Sequence, residues 1–200
     1  MFKQRMHSIE LLYDFASPNC YVALYKLREM RERKGTTLKC TPLLLGGLFK
    51  VTQDAPIPKG TLEYNYMMRN LARLSRDLGI GFNPPHERFP INSLRAMRGS
   101  YFAEEKGKLD EYMSKVFEAC WSLDIDISVP QNLKPCVESL GLNFNDFLSF
   151  IEKEETKLEL RSDTENAHQR GAFGAPTLFI DDKEMYWGTP EVLWYIDEHN

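Results

Sequence analysis

The tetrapeptide Ser17-Pro18-Asn19-Cys20 places a hydroxyl and a thiol at the two ends of an x-x spacing. It stands where the apolar run Ile9-Glu10-Leu11-Leu12-Tyr13-Asp14-Phe15 gives way to an amphipathic segment beginning at Tyr21. Two cysteines at that spacing would support a two-electron disulfide cycle. A serine in the first position removes the cycle, because a hydroxyl forms no mixed disulfide. The serine keeps a hydrogen-bond donor at a helix start, where the unpaired backbone N–H groups favour an anion such as an external thiolate. Pro18 suits the first helical position, with Ser17 as its N-cap. The pattern points to chemistry on a thiol that the chain binds rather than supplies.

Other chemistries find less support. Cys20, Cys40, Cys120 and Cys136 have no metal-ligand spacing and lie in apolar-periodic segments, so they read as buried free thiols. Cys20 takes the second, buried place of the motif, without a partner. The four histidines are scattered, and no metal site is expected. At 200 residues, 42% hydrophobic and 27% charged, the chain is long enough for one large globular domain or a domain with an insertion. A formal charge of -4, with no basic stripe interleaved with aromatics, argues against nucleic acid as a partner. No apolar run approaches the roughly 20 residues that span a bilayer. The polar start Met1-Phe2-Lys3-Gln4-Arg5 leads straight into a predicted strand, so a cytoplasmic protein without a membrane partner is expected.

The elements that must carry Ser17 follow from periodicity. Ile9 to Phe15 predicts a buried strand; the apolar positions Tyr21, Leu24, Leu27 and Met30 predict a helix ended by Arg31-Glu32-Arg33-Lys34 and Gly35; Thr37 to Pro42 predicts a second strand, parallel to the first. From Leu43 to about Arg170 the pattern is helical. Stops fall at Gly79 to Pro85, Lys106-Gly107-Lys108 and Gly141; starts fall at Asn92 or Ser93, at Ser128-Val129-Pro130 before Leu133, and at Asn143. Leu178-Phe179-Ile180 and Met185-Tyr186-Trp187, joined by Asp181-Asp182-Lys183, predict a hairpin, covered by a last helix from Thr189 to His199. The fold class is α/β, a thioredoxin-like fold with a large all-helical insertion, as in DsbA. Residues 1–43 and 171–200 form a discontinuous thioredoxin-like domain, and residues 44–170 form the insertion.

In order and spacing, Tyr13-Asp14-Phe15-Ala16-Ser17-Pro18, Phe49-Lys50, Asn92-Ser93-Leu94-Arg95-Ala96, Gly171-Ala172-Phe173-Gly174-Ala175-Pro176-Thr177 and Met185-Tyr186-Trp187-Gly188 match one family. The chain resembles the 2-hydroxychromene-2-carboxylate isomerases and the kappa-class glutathione transferases, helical-insert relatives of the DsbA oxidoreductases. The resemblance implies glutathione as cofactor and Ser17 as the catalytic residue that contacts its sulfur. It implies further cofactor contacts from Ala175, before the proline of the thioredoxin-type cis-proline loop, and from Trp187, Gly188 and the Thr189 hydroxyl at the start of the last helix. Lys50, Lys59 and Asn92 match substrate-contacting positions, where a lysine can pair with a carboxylate and an asparagine can orient an oxygen. Tyr64, Tyr66, Met67 and Met68 could line an apolar pocket, although such residues more often form core. Relatives commonly carry an aspartate where this chain has Pro190, which offers neither carboxylate nor N–H; Glu191 is adjacent. The implied activity is isomerisation of an aromatic 2-oxo-enoic acid by reversible thiolate addition, with conjugation to an electrophile as the alternative. Thiol-disulfide exchange ranks third. A homodimer is expected from the resemblance alone.

Overall fold

In the computed structural model, which describes residues 8–34, 36–85 and 87–198, two strands from the start of the chain and two from its end form one mixed sheet. Strand β1 (Ser8–Tyr13) leads through helix α1 (Pro18–Lys34) to β2 (Thr37–Pro42), and β1 and β2 pair in parallel with Leu11 opposite Cys40. β3 (Thr177–Ile180) lies antiparallel to β1, with Leu11 opposite Leu178, and β4 (Glu184–Trp187) returns antiparallel to β3. The order is therefore β2-β1-β3-β4. Asp181 and Asp182 make the hairpin turn with φ of 49° and 59°, left-handed values that aspartate tolerates better than most residues.

Between β2 and β3 the chain is helical: α2 (Leu45–Thr52), α3 (Leu62–Asp77), α4 (Leu94–Glu105), α5 (Leu109–Trp121), a 3-10 turn (Pro130–Leu133) running into α6 (Lys134–Glu138), α7 (Phe144–Ile151) and α8 (Glu154–Gln169). The last helix, α9, spans Gly188–Glu198. Asn143 caps α7 as its sequence predicts, accepting from the N–H groups of Asn145 and Asp146. Ser128 does not cap a helix; it donates to Asp126, and the chain enters α6 through the 3-10 turn. The expected stop at Gly35 and the expected helix end at His199 lie outside the described residues.

Alternation along β1 divides the interior. Ile9, Leu11 and Tyr13 face α1 and α9, which supply Leu24, Leu27, Val192 and Ile196 to the larger core; Leu12 faces α2 and α8, where Leu43, Leu48, Ala167 and Phe179 form a smaller one. The larger core runs on into the helices after β2. The Phe15 ring meets Phe117 at 4.8 Å and Tyr112 at 5.9 Å, both edge to face. Tyr13 Oη donates to Ser100 Oγ at 2.9 Å, and the indole of fully buried Trp121 donates to the Phe15 carbonyl at 2.8 Å. Each such ring contributes about 1.5–3 kcal/mol by burial, so the insertion is packed onto the end of β1 where Ser17 sits. β1 stops at Tyr13, two residues before the apolar run ends, because the backbone leaves the sheet there. The Phe15 N–H turns to Met97 Sδ at 3.4 Å, and the Asp14 carboxylate engages other elements.

Candidate active site

Ser17 is the N-cap of α1, and its side chain is committed on both sides. Its Oγ accepts from the Cys20 N–H at 3.3 Å and donates to the Ala175 carbonyl at 2.9 Å. Ala175–Pro176 is a cis peptide, and the Ser17–Ala175 hydrogen bond sets the loop entering β3 against the first turn of α1. Ser17 is only 4% exposed. An incoming thiolate would take over the proton now given to Ala175, because a hydroxyl donates one hydrogen bond. Cys20 is fully buried, and burial pushes its thiol up to about 12, above the opposing pull of hydrogen bonds from Asp14 and Ser17. It is therefore protonated and shielded at neutral pH, an inert neighbour rather than a nucleophile. The other thiols are free too; Cys120 and Cys136 are buried, as their apolar-periodic settings predict, whereas Cys40 on the outer strand β2 is only half-buried.

The start of α9 closes the other side. Gly188 has φ +79°, a conformation that favours glycine, and its N–H donates to the Pro176 carbonyl at 3.0 Å, tying the end of β4 to the cis-proline loop. Thr189, 3% exposed, donates through Oγ1 to Asn19 Oδ1 at 2.7 Å, so its hydroxyl proton joins α9 to α1. Asn19 Nδ2 in turn lies 3.9 Å from Met67 Sδ on α3. Trp187 is 43% exposed and packs against Phe173 at 4.8 Å; a Cβ at Gly174 would collide with the Trp187 indole nitrogen. Pro190 and Glu191 are both exposed on the first turn of α9.

Ser17, Ala175, Gly188 and Thr189 thus form one hydrogen-bonded cluster, with Trp187 on its rim. Among the described residues no hydrogen bond or ion pair joins Lys50, Lys59 or Asn92 to that cluster. Lys50 is exposed in the last turn of α2, and Lys59 pairs with Glu87 at 3.4 Å. The Asn92 side chain accepts from the Leu94 N–H at 3.2 Å, just ahead of α4, while lining a separate groove of about 260 Å³ with Arg88, Asp126 and Ser128. Tyr64 and Met68 are buried core, Met67 is half-buried, and Tyr66 is exposed. Asp14, Asn19 and Ser93 belong to the site's framework and were not singled out by sequence. The signal for Asp14 was a second charge, after Glu10, in a predicted buried strand.

A thioredoxin-type sheet whose α1 and cis-proline loop meet at Ser17, with a helical segment between β2 and β3, defines the class. The model of the DSBA-like thioredoxin domain matches residues 8–193, and the chain belongs to that family. The chain is 25% identical over 187 residues to 2-hydroxychromene-2-carboxylate isomerase of Sphingobium xenophagum, covering 90% of this chain and 92% of that protein. It is 26% identical over 203 aligned positions to glutathione S-transferase kappa 1 of Rattus norvegicus, covering 94% and 89% respectively. The solved structure of a 2-hydroxychromene-2-carboxylate isomerase superposes with a TM-score of 0.83 at 24% identity, covering 95% of this chain and 93% of that one. The expected fold class stands.

Proposed function

We propose that the chain is a glutathione-dependent isomerase of an aromatic 2-oxo-enoic acid related to 2-hydroxychromene-2-carboxylate. The observation that carries this reading is the pairing of a donor hydroxyl, Ser17, with a buried, protonated Cys20 at the start of α1. The helix start is equipped to hold a thiolate and not to supply one. Similarity to an isomerase and to a glutathione transferase over nearly the whole chain supports it.

The residues fit the thiol end of glutathione. Ser17 offers its proton, α1 offers its N-terminal field, and among the described residues no partner takes the Ala175 N–H, leaving it free to pair with a peptide carbonyl. The γ-glutamyl end is served differently from the family pattern, since Pro190 has no N–H and Thr189 is spent on Asn19. The amino group of the cofactor is left to Glu191. Bound there, glutathione would supply a sulfur nucleophile for reversible addition across the conjugated double bond, with rotation and elimination giving the other geometry. Ser17 holds the proton that keeps sulfur anionic between turnovers. Lys50, exposed on α2, supplies the cation for the acid's carboxylate; Lys59 serves only on leaving Glu87, and Asn92 through its amide N–H groups.

Because the thiol is regenerated, glutathione should be required yet not consumed. The test is the rate of interconversion of 2-hydroxychromene-2-carboxylate with and without reduced glutathione, while the thiol is quantified. Strict dependence with no thiol loss supports the isomerase. Thiol loss matched by an adduct with an electrophile supports the transferase reading, which the similarity to the rat kappa enzyme favours. Among the described residues no helix is long and apolar enough to cross a membrane. The proposal includes a cytoplasmic location and a homodimer, the latter checked by light scattering.

A further inference from the structure

Asp14 is 1% exposed, yet its carboxylate touches three separate elements. Oδ1 accepts from the Ala16 N–H at 2.8 Å and from the Ser93 hydroxyl at the start of α4; Oδ2 accepts from the Leu45 N–H, the first residue of α2, at 2.8 Å. Its own carbonyl accepts the Ser17 N–H at 3.0 Å. One side chain therefore fixes the turn that presents Ser17, the helix that carries Lys50 and the helix that follows Asn92. We propose that Asp14 is a positioning residue of this site, whose carboxylate holds the starts of α1, α2 and α4 in register so that Ser17 stays against Ala175. The inference deepens the functional reading above and rests on it only for its effect on thiol binding.

The chemistry demands an acceptor on both oxygens. An amide of the same shape would turn its NH2 toward either Leu45 N–H or Ala16 N–H, setting donor against donor. Protonation instead lets the carboxyl O–H donate to the Ser93 hydroxyl oxygen, reversing that bond and weakening the acceptors that face Ala16 and Leu45. Burial pushes this carboxyl up, against hydrogen bonds from Ala16, Ser93 and Leu45 that pull it down. The titratable groups that feel its charge are the thiols of Cys20 on α1 and Cys120 on α5, both pushed up by burial and so protonated throughout the acid range. No ion pair to Asp14 occurs among the described residues. Asp14→Asn removes the buried charge, which offsets part of the cost of the donor-against-donor clash; its amide spectrum shows whether it is folded before binding is read, and Ser93→Ala keeps the test open if it is not.

The experiment is an NMR pH titration of the whole chain without ligand, beside Asp14→Asn and Ser93→Ala, followed by glutathione titration at neutral pH. Expected are Ala16 and Leu45 amide protons that move together with one midpoint above the ordinary aspartate value. That midpoint should rise further in Ser93→Ala and be absent from Asp14→Asn. Glutathione affinity should fall about tenfold or more in Asp14→Asn, through misplacement of Ser17, and stay at the wild-type value in the control Glu10→Gln. Amides that titrate independently, a Ser93→Ala midpoint that does not rise, or Asp14→Asn binding like wild type would each overturn the proposal. If the wild type binds no glutathione, the functional reading fails while the amide titration still decides the role of Asp14.

Discussion

Replacing Ser17 by alanine removes the proton that this account gives to the bound sulfur, and the size of the effect can be worked out. In the free protein the hydroxyl already donates to Ala175 at 2.9 Å. Donation to a charged acceptor is worth about 1.5–3 kcal/mol and the neutral bond given up about 0.5–1.5, leaving a net gain of about 1–1.5 kcal/mol. At about 1.4 kcal/mol per pKa unit, Ser17 accounts for about one unit of thiol acidity. The N-terminus of α1 adds about 0.3–1 kcal/mol in both proteins. Starting from a free thiol near about 8.5, the bound thiol should titrate near about 7 in the wild type and about 8 in Ser17→Ala. The assay is a pH titration of thiolate ultraviolet absorbance at saturating glutathione, with initial isomerisation rates in parallel; at neutral pH the rate should follow the thiolate fraction down several-fold. The variant also loses the cap to Cys20 N–H, which costs about 1 kcal/mol and about 2–4 °C in Tm. It should still be folded. Coincident thiol titrations in the two proteins would refute the reasoning, since nothing else in the cluster can substitute for that proton.

Three further outcomes follow from named contacts. Ser17→Cys restores a second thiol at the helix start; oxidation should bury the new cysteine and Cys20 in one disulfide, visible as two thiols lost on titration, whereas the wild type should keep all four cysteines free. Trp121→Phe leaves the Phe15 carbonyl without its donor, so thermal unfolding should show a loss of about 1–3 kcal/mol. At Glu10, burial alone would push the carboxyl up, but hydrogen bonds from Thr41, Lys39 and Arg170 outweigh it and hold it below the usual value. A lowered folded-state pKa means stability that is complete above the unfolded-state value and lost as pH falls through the folded one. Denaturant midpoints of Glu10→Gln should therefore decline less steeply than wild type in that acid window.

The secondary structure was legible where periodicity and punctuation agree. The register of apolar residues from Tyr21 to Met30 gave α1, Asn143 gave the start of α7, and Asp181-Asp182 gave the β3–β4 turn, because each is decided by local energetics. The end of β1 was not, since Asp14 leaves the sheet for Leu45 and Ser93, 31 and 79 residues away in the chain, and Phe15 for Met97, 82 residues away. Capping at α4 shows the same limit. Asn92 and Ser93 both suit an N-cap; Ser93 takes the position, but its hydroxyl is drawn to Asp14, and Asn92 one residue earlier accepts from the Leu94 N–H instead. At the site, Ser17 and Ala175 could be named from motifs, but their mutual hydrogen bond, and the diversion of Thr189 to Asn19, depend on packing between the first and last helices.

The claim tested most directly is that the start of α1 binds a thiol as its anion. We would titrate the purified chain with reduced glutathione in a calorimeter while recording thiolate absorbance at neutral pH. Saturable binding with about half a thiolate appearing per bound glutathione, as a bound thiol titrating near about 7 requires, is the predicted result; heat and absorbance that stay flat through millimolar thiol would contradict the account.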